Sequence, residues 1–343
     1  MKKQTLLILF VVLTTSIVVN AQTIALHSST GVQLFKGNTA LALAYTAAQN
    51  GDTLYLSGGT FTPPTAIDKK LMIFGAGHYA DSTLVTGKTF INGNVILSEN
   101  ADMLYLEGFE INGQLSSTYN NSINNLTIKR CRITGTTVFS GDLSKPSTNL
   151  ALIGNVFMDN VSIANVTNAM ITNNSFSAAL QNTNGNQISN NIFLSGVYIN
   201  YEYYVFNGNN NTFNNNIFIY SVNNALAASG SIGNFYYNNL FVSSSPNYGT
   251  TSTYIGNYTG IAQTAIFVSQ TGNTFNYSHN YHLQNPETYL GTDATQVGIY
   301  GGAFPYKEGA VPLNPHIQSK NIATSTDANG DLQIQIQVKA QND

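Results

Sequence analysis

Charged side chains that could perform acid–base chemistry are rare in this chain of 343 residues. Hydrolysis of a polysaccharide needs two carboxyl groups, and an inverting enzyme holds them roughly 6.5–9.5 Å apart. Between Pro146 and Pro286 the only charged residues are Asp159 and Glu202. They take different positions within the repeat described below, so we expect them on different parts of its circumference. No catalytic residue is therefore predicted.

The remaining charged cluster comprises Glu107, Glu110, Lys129, Arg130 and Arg132, and it contains both arginines of the chain. One interpretation is a small functional site. The alternative is structural, because the repeat places Lys129 over Glu107 and Arg132 over Glu110. Opposite charges on neighbouring strands form ordinary cross-strand ion pairs, so we predict a structural role.

A group of tyrosines is the strongest candidate for a binding site. Tyr198, Tyr201, Tyr203 and Tyr204 lie in one segment between two repeats. Exposed tyrosine rings can stack on sugar rings and offer a hydroxyl group for hydrogen bonds. We favour a role for them as core and strand-forming residues; the alternative is a glycan-binding site at Tyr201, Tyr203 and Tyr204.

No metal or other cofactor is predicted. His279 and His282 are three residues apart, but they follow the frame of the repeat, so we expect them to flank the repeat rather than bind a metal. His78 has no carboxylate or second histidine nearby in the sequence and is predicted to be a loop residue.

The elements that position these residues are indicated by a recurring pattern: an apolar residue, any residue, Asn-Asn, any residue, then Phe. It occurs at residues 171–176, 188–193, 213–218 and 236–241, with weaker copies at 106–111, 128–133, 152–157 and 277–282. The first seven copies are 17 to 25 residues apart. That length suits one coil of a parallel β-helix and is too short for a repeat of two helices.

Stacked coils place like residues over like at a rise of ~4.8 Å. The predicted interior columns are Ile111, Ile133, Phe157, Phe176, Phe193, Phe218 and Phe241, and Leu106, Ile128, Leu152, Ile171, Ile188, Phe213 and Tyr236. Between them we predict a ladder of Asn155, Asn174, Asn191, Asn216, Asn239 and Asn280. Asparagine tolerates left-handed backbone angles, and its amide can bond to the coils above and below. We therefore expect the same asparagines to form both the bend and the ladder.

With these asparagine and aromatic stacks, residues 50–302 resemble the right-handed parallel β-helix superfamily of pectate-lyase-like proteins. The resemblance implies an all-β, right-handed parallel β-helix and carries no catalytic motif. Members often cleave acidic polysaccharides, as lyases with an Arg or Lys base and calcium-binding carboxylates, or as hydrolases with two or three carboxylates. We predict a secreted, non-catalytic protein that binds glycan or acts at the cell surface. The alternatives are a polysaccharide lyase or glycoside hydrolase of this superfamily and a purely structural surface protein.

The two ends of the solenoid need caps, because an open coil exposes its core and unpaired edges. We predict an N-terminal cap at residues 22–50 with a short helix, coils over 51–302, a proline-containing linker at 303–315 and a β-hairpin appendage at 316–343. In the appendage, apolar residues from Leu332 to Val338 alternate with glutamines, which is typical of a half-buried strand. The glycines and apolar residues of 297–302 indicate a closing strand.

One face of the predicted coils has no obvious partner. The outward residues next to the phenylalanine column are apolar: Val156, Met158, Ile192, Leu194, Ile217, Ile219, Leu240 and Val242. A strand that is apolar on both faces is usually covered on both. We predict that the appendage or another chain covers this outer face, which would allow self-association.

The chain begins with a segment typical of export. Two lysines precede an apolar run, and small residues lead up to Gln22, so residues 1–21 are predicted to be a signal peptide cleaved after Ala21. We expect a periplasmic, cell-surface or extracellular protein with no transmembrane segment after cleavage. A net charge of −3 argues against nucleic acid as a partner, and a polysaccharide or another surface component fits better. The single cysteine, Cys131, excludes an intrachain disulfide bond.

Overall fold

The computed structural model describes residues 22–312 and 315–339. The chain forms a parallel β-solenoid of about nine turns with only 6% helix and small antiparallel hairpins towards the C-terminus. The predicted all-β fold, a parallel β-helix, is therefore confirmed. The predicted signal peptide, residues 1–21, lies outside the described residues, as do two residues of the predicted linker and the last four of the appendage.

Three sheets form the walls of the solenoid, and each coil adds a short strand to two or three of them. The twelve-stranded sheet contains Thr23–Ser28, Gly31–Lys36, Thr53–Leu56, Met72–Phe74, Tyr105–Glu107, Thr127–Lys129, Ala151–Ile153, Met170–Thr172, Gln187–Ser189, Thr212–Asn214, Phe235–Tyr237 and Thr253–Ile255. The nine-stranded sheet contains Gly59–Phe61, Thr89–Asn92, Glu110–Asn112, Arg132–Ile133, Val156–Phe157, Ser175–Phe176, Ile192–Phe193, Ile217–Phe218 and Leu240–Phe241. The six-stranded sheet contains Val95–Leu97, Leu115–Ser117, Thr137–Ser140, Val161–Ala164, Leu180–Asn184 and Phe206–Asn209.

Smaller elements complete the described chain. Four further strand pairs are Ser147–Thr148 with Val166–Thr167, Val197–Ile199 with Glu202–Tyr204, Phe267–Ser269 with Asn280–Leu283, and His316–Ile322 with Ile334–Lys339. Short 3₁₀ turns are Asp81–Thr83, Val222–Asn224, Gln263–Ala265 and Glu308–Ala310. The one α-helix among the described residues is Ala40–Ala47, inside the range predicted for it. No helix in the described ranges has the length and apolar character that a bilayer crossing requires.

The strand register produces the predicted interior columns. Ile133 pairs with Phe157, and each later phenylalanine pairs with the next one along the nine-stranded sheet. The ring centroids of Phe176, Phe193 and Phe218 are 4.8 and 4.7 Å apart, with nearly parallel planes. The rings therefore stack at the rise of the backbone, and the second column follows the twelve-stranded sheet in the same way.

The asparagine ladder is present, but its last member differs from the prediction. At each step the backbone N–H and the side-chain amide donate to the Oδ1 of the next asparagine, at 2.8–3.1 Å. The order is Asn155, Asn174, Asn191, Asn216, Asn239 and Asn257. Asn257, rather than the predicted Asn280, completes it because the parallel stacking ends shortly after Ile255.

The bend and the ladder belong to different asparagines. The first member of each Asn-Asn pair has a left-handed backbone, with φ of 57° at Asn173 and 55° at Asn190, whereas the buried second member carries the ladder. The prediction that one asparagine does both was therefore wrong. A residue in the left-handed conformation turns the chain, and the following residue then places its amide in the interior.

After the last coil the chain returns along the outside of the solenoid. We call residues 259–312 the cover segment. Its apolar residues pack against the outward apolar row of the nine-stranded sheet in a second core of Val156, Ile192, Leu194, Ile217, Ile219, Leu240, Ile266, Phe267, Phe275, Tyr281, Leu283, Val297, Ile299 and Tyr306. The row that needed a cover is thus buried by a segment for which the sequence predicted further coils up to residue 302 and a linker after them.

Two elements predicted within this segment differ from the structure. The copy at residues 277–282 belongs to an antiparallel hairpin, and residues 297–302 form turns instead of a closing strand. Both stretches carry apolar and aromatic residues at a spacing similar to that of the true repeats. They use those residues to pack on the outer face rather than in the interior.

The left-handed asparagines also hold the cover segment in place. The side-chain amide of Asn173 donates to the carbonyl oxygens of Ile299 and Gly301, at 2.9 and 2.8 Å. Further along the solenoid, the Asn238 amide donates to the Leu290 carbonyl at 3.1 Å. The bends at Asn173 and Asn238 thus satisfy backbone carbonyl groups that the irregular cover segment would otherwise leave without partners.

The C-terminal appendage is the predicted hairpin, but it does not cover the nine-stranded sheet. Strands His316–Ile322 and Ile334–Lys339 pair with each other only, and nearly all their side chains are exposed. At the other end, the hairpin Thr23–Ser28 and Gly31–Lys36 pairs antiparallel with the first coil strand, beside the helix. This pairing closes the N-terminal edge of the interior.

Candidate functional site

The charged cluster forms two sets of ion pairs at the start of the solenoid. The strand register places Lys129 beside Glu107, as predicted. The Glu107 carboxylate, however, forms an ion pair with Arg130, with Nε 2.8 Å from Oε1, and its Oε2 accepts a 2.5 Å hydrogen bond from the Tyr105 hydroxyl. Arg130 occupies the left-handed corner of its coil (φ 51°), which the strand register did not take into account.

The second carboxylate is held by two cations. Glu110 Oε1 lies 2.6 Å from Arg132 Nη1, as the repeat predicted, and Oε2 lies 2.9 Å from Lys88 Nζ. Both Glu107 and Glu110 are buried, and their oxygens are occupied by cations and the Tyr105 hydroxyl. A carboxylate held in this way supports the fold and is a poor acid–base catalyst. The ion pairs therefore support the structural interpretation.

A histidine connects this cluster to the cover segment. His78 is 1% exposed, and its Nδ1 lies 2.5 Å from the Tyr277 hydroxyl oxygen. Burial, with smaller contributions from the Arg132 and Lys88 charges, lowers the pKa of His78 to about 3. His78 lies in a loop, as predicted, and its neutral imidazole is an internal tether between the second coil and the cover segment.

Beside this tether, aromatic residues of the cover segment enclose a cavity of about 290 Å³. We call it the tyrosine cavity. Its lining consists of Tyr79, Phe275, Asn276, Tyr277, His279, Asn280, Tyr281, Tyr300, Tyr306 and Glu308. Phe275, Tyr281 and Tyr306 are buried, whereas Asn276, Asn280 and Glu308 are exposed. The cavity therefore combines aromatic walls with polar groups that are open to solvent.

Packing and hydrogen bonds fix the rings of the cavity. Tyr79 stacks on Tyr277 with a centroid distance of 4.3 Å, and the Tyr79 hydroxyl donates to Asp81 Oδ2 at 2.6 Å. The Tyr300 hydroxyl donates to Glu308 Oε1 at 3.1 Å, and its ring stacks on His282. Burial, with the Glu308 charge, raises the pKa of Tyr300 well above its usual value. The hydroxyl groups of Tyr79 and Tyr300 are therefore neutral and already held in position.

The tyrosines predicted as a binding site lie elsewhere and have different surroundings. Tyr201 is 95% exposed at the tip of the hairpin between Val197–Ile199 and Glu202–Tyr204. Tyr203 packs against Tyr198 across that hairpin, with ring centroids 4.5 Å apart and the planes tilted by 37°. Tyr204 is only 6% exposed, and its hydroxyl accepts a hydrogen bond from Gln181. Tyr201 is exposed and Tyr203 is partly exposed, whereas Tyr204 belongs to a small buried cluster.

The tyrosine cavity was missed because its residues are far apart in the sequence. Tyr79 belongs to an early coil, and its partners follow about two hundred residues later. The density of tyrosine between residues 277 and 306 was a usable signal, but residues 277–282 also matched the frame of the repeat. His279 and His282 lie in the cover segment and not along the ladder.

Metal ligands are not grouped in the part of the chain that the structure describes. Within residues 22–312 and 315–339, no three His, Cys, Asp or Glu side chains come close enough to hold an ion. Comparison with known proteins adds no assignment: no protein-family model, curated protein or solved structure matches the chain. The geometry of the site therefore carries the functional argument.

Proposed function

We propose that the protein is exported, belongs to the pectate-lyase-like β-helix superfamily and binds a glycan in the tyrosine cavity without cleaving it. The observation that carries the proposal is a concave site with fixed tyrosine rings and exposed amide and carboxylate groups. Sugars present apolar C–H faces and a rim of hydroxyl groups. Aromatic rings pack against the C–H faces of a sugar, and the polar groups at the opening of the cavity form hydrogen bonds with its hydroxyl groups.

The size and rigidity of the cavity support this proposal. A volume of about 290 Å³ is near the lower end of small-molecule sites, which suits one or two sugar rings of a longer chain. The rings of Tyr79 and Tyr300 are already held by stacking and by hydrogen bonds to carboxylates. Little side-chain entropy would be lost on binding, so weak contacts can give measurable affinity.

Export and a surface location remain part of the proposal and are supported by the sequence of residues 1–21 and the low charge. Binding is favoured over the alternative of a lyase or hydrolase because Glu107 and Glu110 are committed to ion pairs. A polysaccharide panel scored both for binding and for new reducing ends separates these functions. Release of reducing ends by the purified protein would establish the alternative.

The experiment that locates the site uses matched tyrosine variants. Tyr79→Ala removes one wall of the cavity, and we expect it to weaken binding of the best glycan about five- to tenfold, as loss of one aromatic contact of ~1 kcal/mol predicts. Tyr201→Ala is the control because Tyr201 is exposed on the separate hairpin. Loss of affinity only in Tyr201→Ala would show that the glycan binds at that hairpin and not in the tyrosine cavity.

A further inference from the structure

The charges around the tyrosine cavity are acidic. Glu308 lines the opening and its side chain is 69% exposed, and the Asp81 carboxylate is bonded to the hydroxyl of the lining residue Tyr79. The only basic side chain among the described lining residues is His279. No lysine or arginine of the described chain lines the cavity.

One arginine lies close to a lining ring without lining the cavity itself. The Arg132 guanidinium lies 6.0 Å from the centre of the Tyr277 ring, but it is paired with Glu110, which also binds Lys88. Arg130 is buried against Glu107. A carboxylate on a ligand would therefore meet Glu308 at the opening, where His282 Nδ1 lies 3.7 Å from Glu308 Oε1 but no lysine or arginine of the described lining offsets the repulsion between like charges.

We infer that the cavity recognises an uncharged sugar and discriminates against uronic acids; this inference rests on the glycan-binding function proposed above. Neighbouring hydroxyl groups of a neutral ring can donate to the Glu308 carboxylate, which has acceptor capacity beyond the bond from Tyr300. Replacing the hydroxymethyl group with a carboxylate removes a donor and adds a negative charge. The chemical class of the ligand is thus a neutral hexose chain, in contrast to the acidic polysaccharides cleaved by many proteins that this chain resembles.

Titration calorimetry with matched trisaccharides tests the inference on the full mature chain. Each pair shares ring stereochemistry and linkage and differs only in the acid group: glucose and glucuronate, galactose and galacturonate, mannose and mannuronate. We expect at least one neutral trisaccharide to bind, and to bind at least tenfold more tightly than its uronic counterpart. Equal or tighter binding of the uronate would overturn the inference and leave glycan binding intact. Binding of none of the six would remove the proposed function itself.

A charge reversal then assigns the discrimination to one residue. In Glu308→Lys the ratio of the affinity for the neutral trisaccharide to that for its uronic counterpart should fall at least tenfold, or the preference should reverse, because the uronate then meets a cation. Glu308→Gln should weaken binding of the neutral trisaccharide and lower the same affinity ratio by a smaller factor. Glu99→Lys is the control, with the same change in charge at an exposed residue that does not line the cavity. An unchanged preference in Glu308→Lys, with native circular dichroism, would contradict the role of Glu308.

Discussion

At the scale of single residues, the two members of each Asn-Asn pair have different structural roles. The second asparagine continues the buried ladder, and the first bends the chain and bonds to the cover segment. The sequence predicted the ladder because most copies of the repeat have an asparagine at the same position, and stacked coils place these side chains over one another. It could not assign the first asparagine to the cover segment, because that partner lies more than a hundred residues away.

The neighbours Asn173 and Asn174 test this division. Asn174→Ala leaves the backbone N–H and side-chain amide of Asn155 without their acceptor, so we expect a loss of at least about 3 kcal/mol in the free energy of unfolding. Asn173→Gly retains the left-handed bend and loses the bonds to the cover segment, together with the hydrogen bond that the Asn173 amide oxygen accepts from the Thr172 hydroxyl. Its melting temperature should stay near that of the wild type, while amide hydrogen exchange of residues 298–302 becomes faster. Equal destabilisation of the coils by both variants would contradict the division.

His78 makes stability depend on pH. An unfolded histidine titrates near pH 6.5, whereas the folded pKa is about 3, so the unfolded state takes up a proton first as the pH falls. Stability contributed by neutral His78 is therefore lost progressively from about pH 6.5 down to pH 3. Between pH 7.5 and 5.0 the wild type should lose roughly 2 kcal/mol more than His78→Gln in urea unfolding. The same pH dependence in both proteins would show that His78 is not buried as a neutral ring.

At the scale of elements, the coils were predictable and the cover segment was not. Each coil repeats a local pattern, and backbone pairing forces equivalent residues into columns, so a few copies were enough to predict the register of Phe157 to Phe241. The cover segment has no period, and its pairing depends on the shape of the outer face. The tyrosine cavity lies between the coils and the cover segment, so it could not be predicted from the sequence either.

The phenylalanine column should be the most sensitive part of the core. Phe193 lies between two stacked rings, and Phe193→Ala should cost about 3–5 kcal/mol through lost burial and the resulting cavity. Phe235→Ala is the matched control because Phe235 belongs to a coil strand but is partly exposed on its outer face. We expect that change to cost less than about 1 kcal/mol in the same unfolding measurement. A smaller effect at Phe193 than at Phe235 would be incompatible with the stacked interior.

At the scale of the whole molecule, the chain folds back on itself. The apolar outer face was correctly predicted to need burial, but the predicted hairpin appendage leaves its own strands exposed. The cover segment buries the outer face and brings Tyr277 against His78 of the second coil. The solenoid thus gains a second core outside its coils, and the tyrosine cavity forms where this core meets the first coils.

Two truncations separate the appendage from the cover segment. Removing residues 316–343 should leave the melting temperature and the binding of a hydrophobic dye close to those of the full chain, because the hairpin contributes little to either core. Removing residues 259–343 exposes the row from Val156 to Leu240, so we expect strong dye binding and aggregation. If the shorter truncation caused the larger increase in dye binding, the appendage would be the true cover of the outer face.

The most direct test of the account is a crystal structure of the protein soaked with the neutral trisaccharide that binds best. We expect density for at least one sugar ring against Tyr79 and Tyr300, with a hydroxyl group hydrogen-bonded to Glu308 and the His78–Tyr277 contact intact. Sugar density at Tyr201 and Tyr203 with the tyrosine cavity empty, or a cover segment that does not reach the second coil, would contradict it.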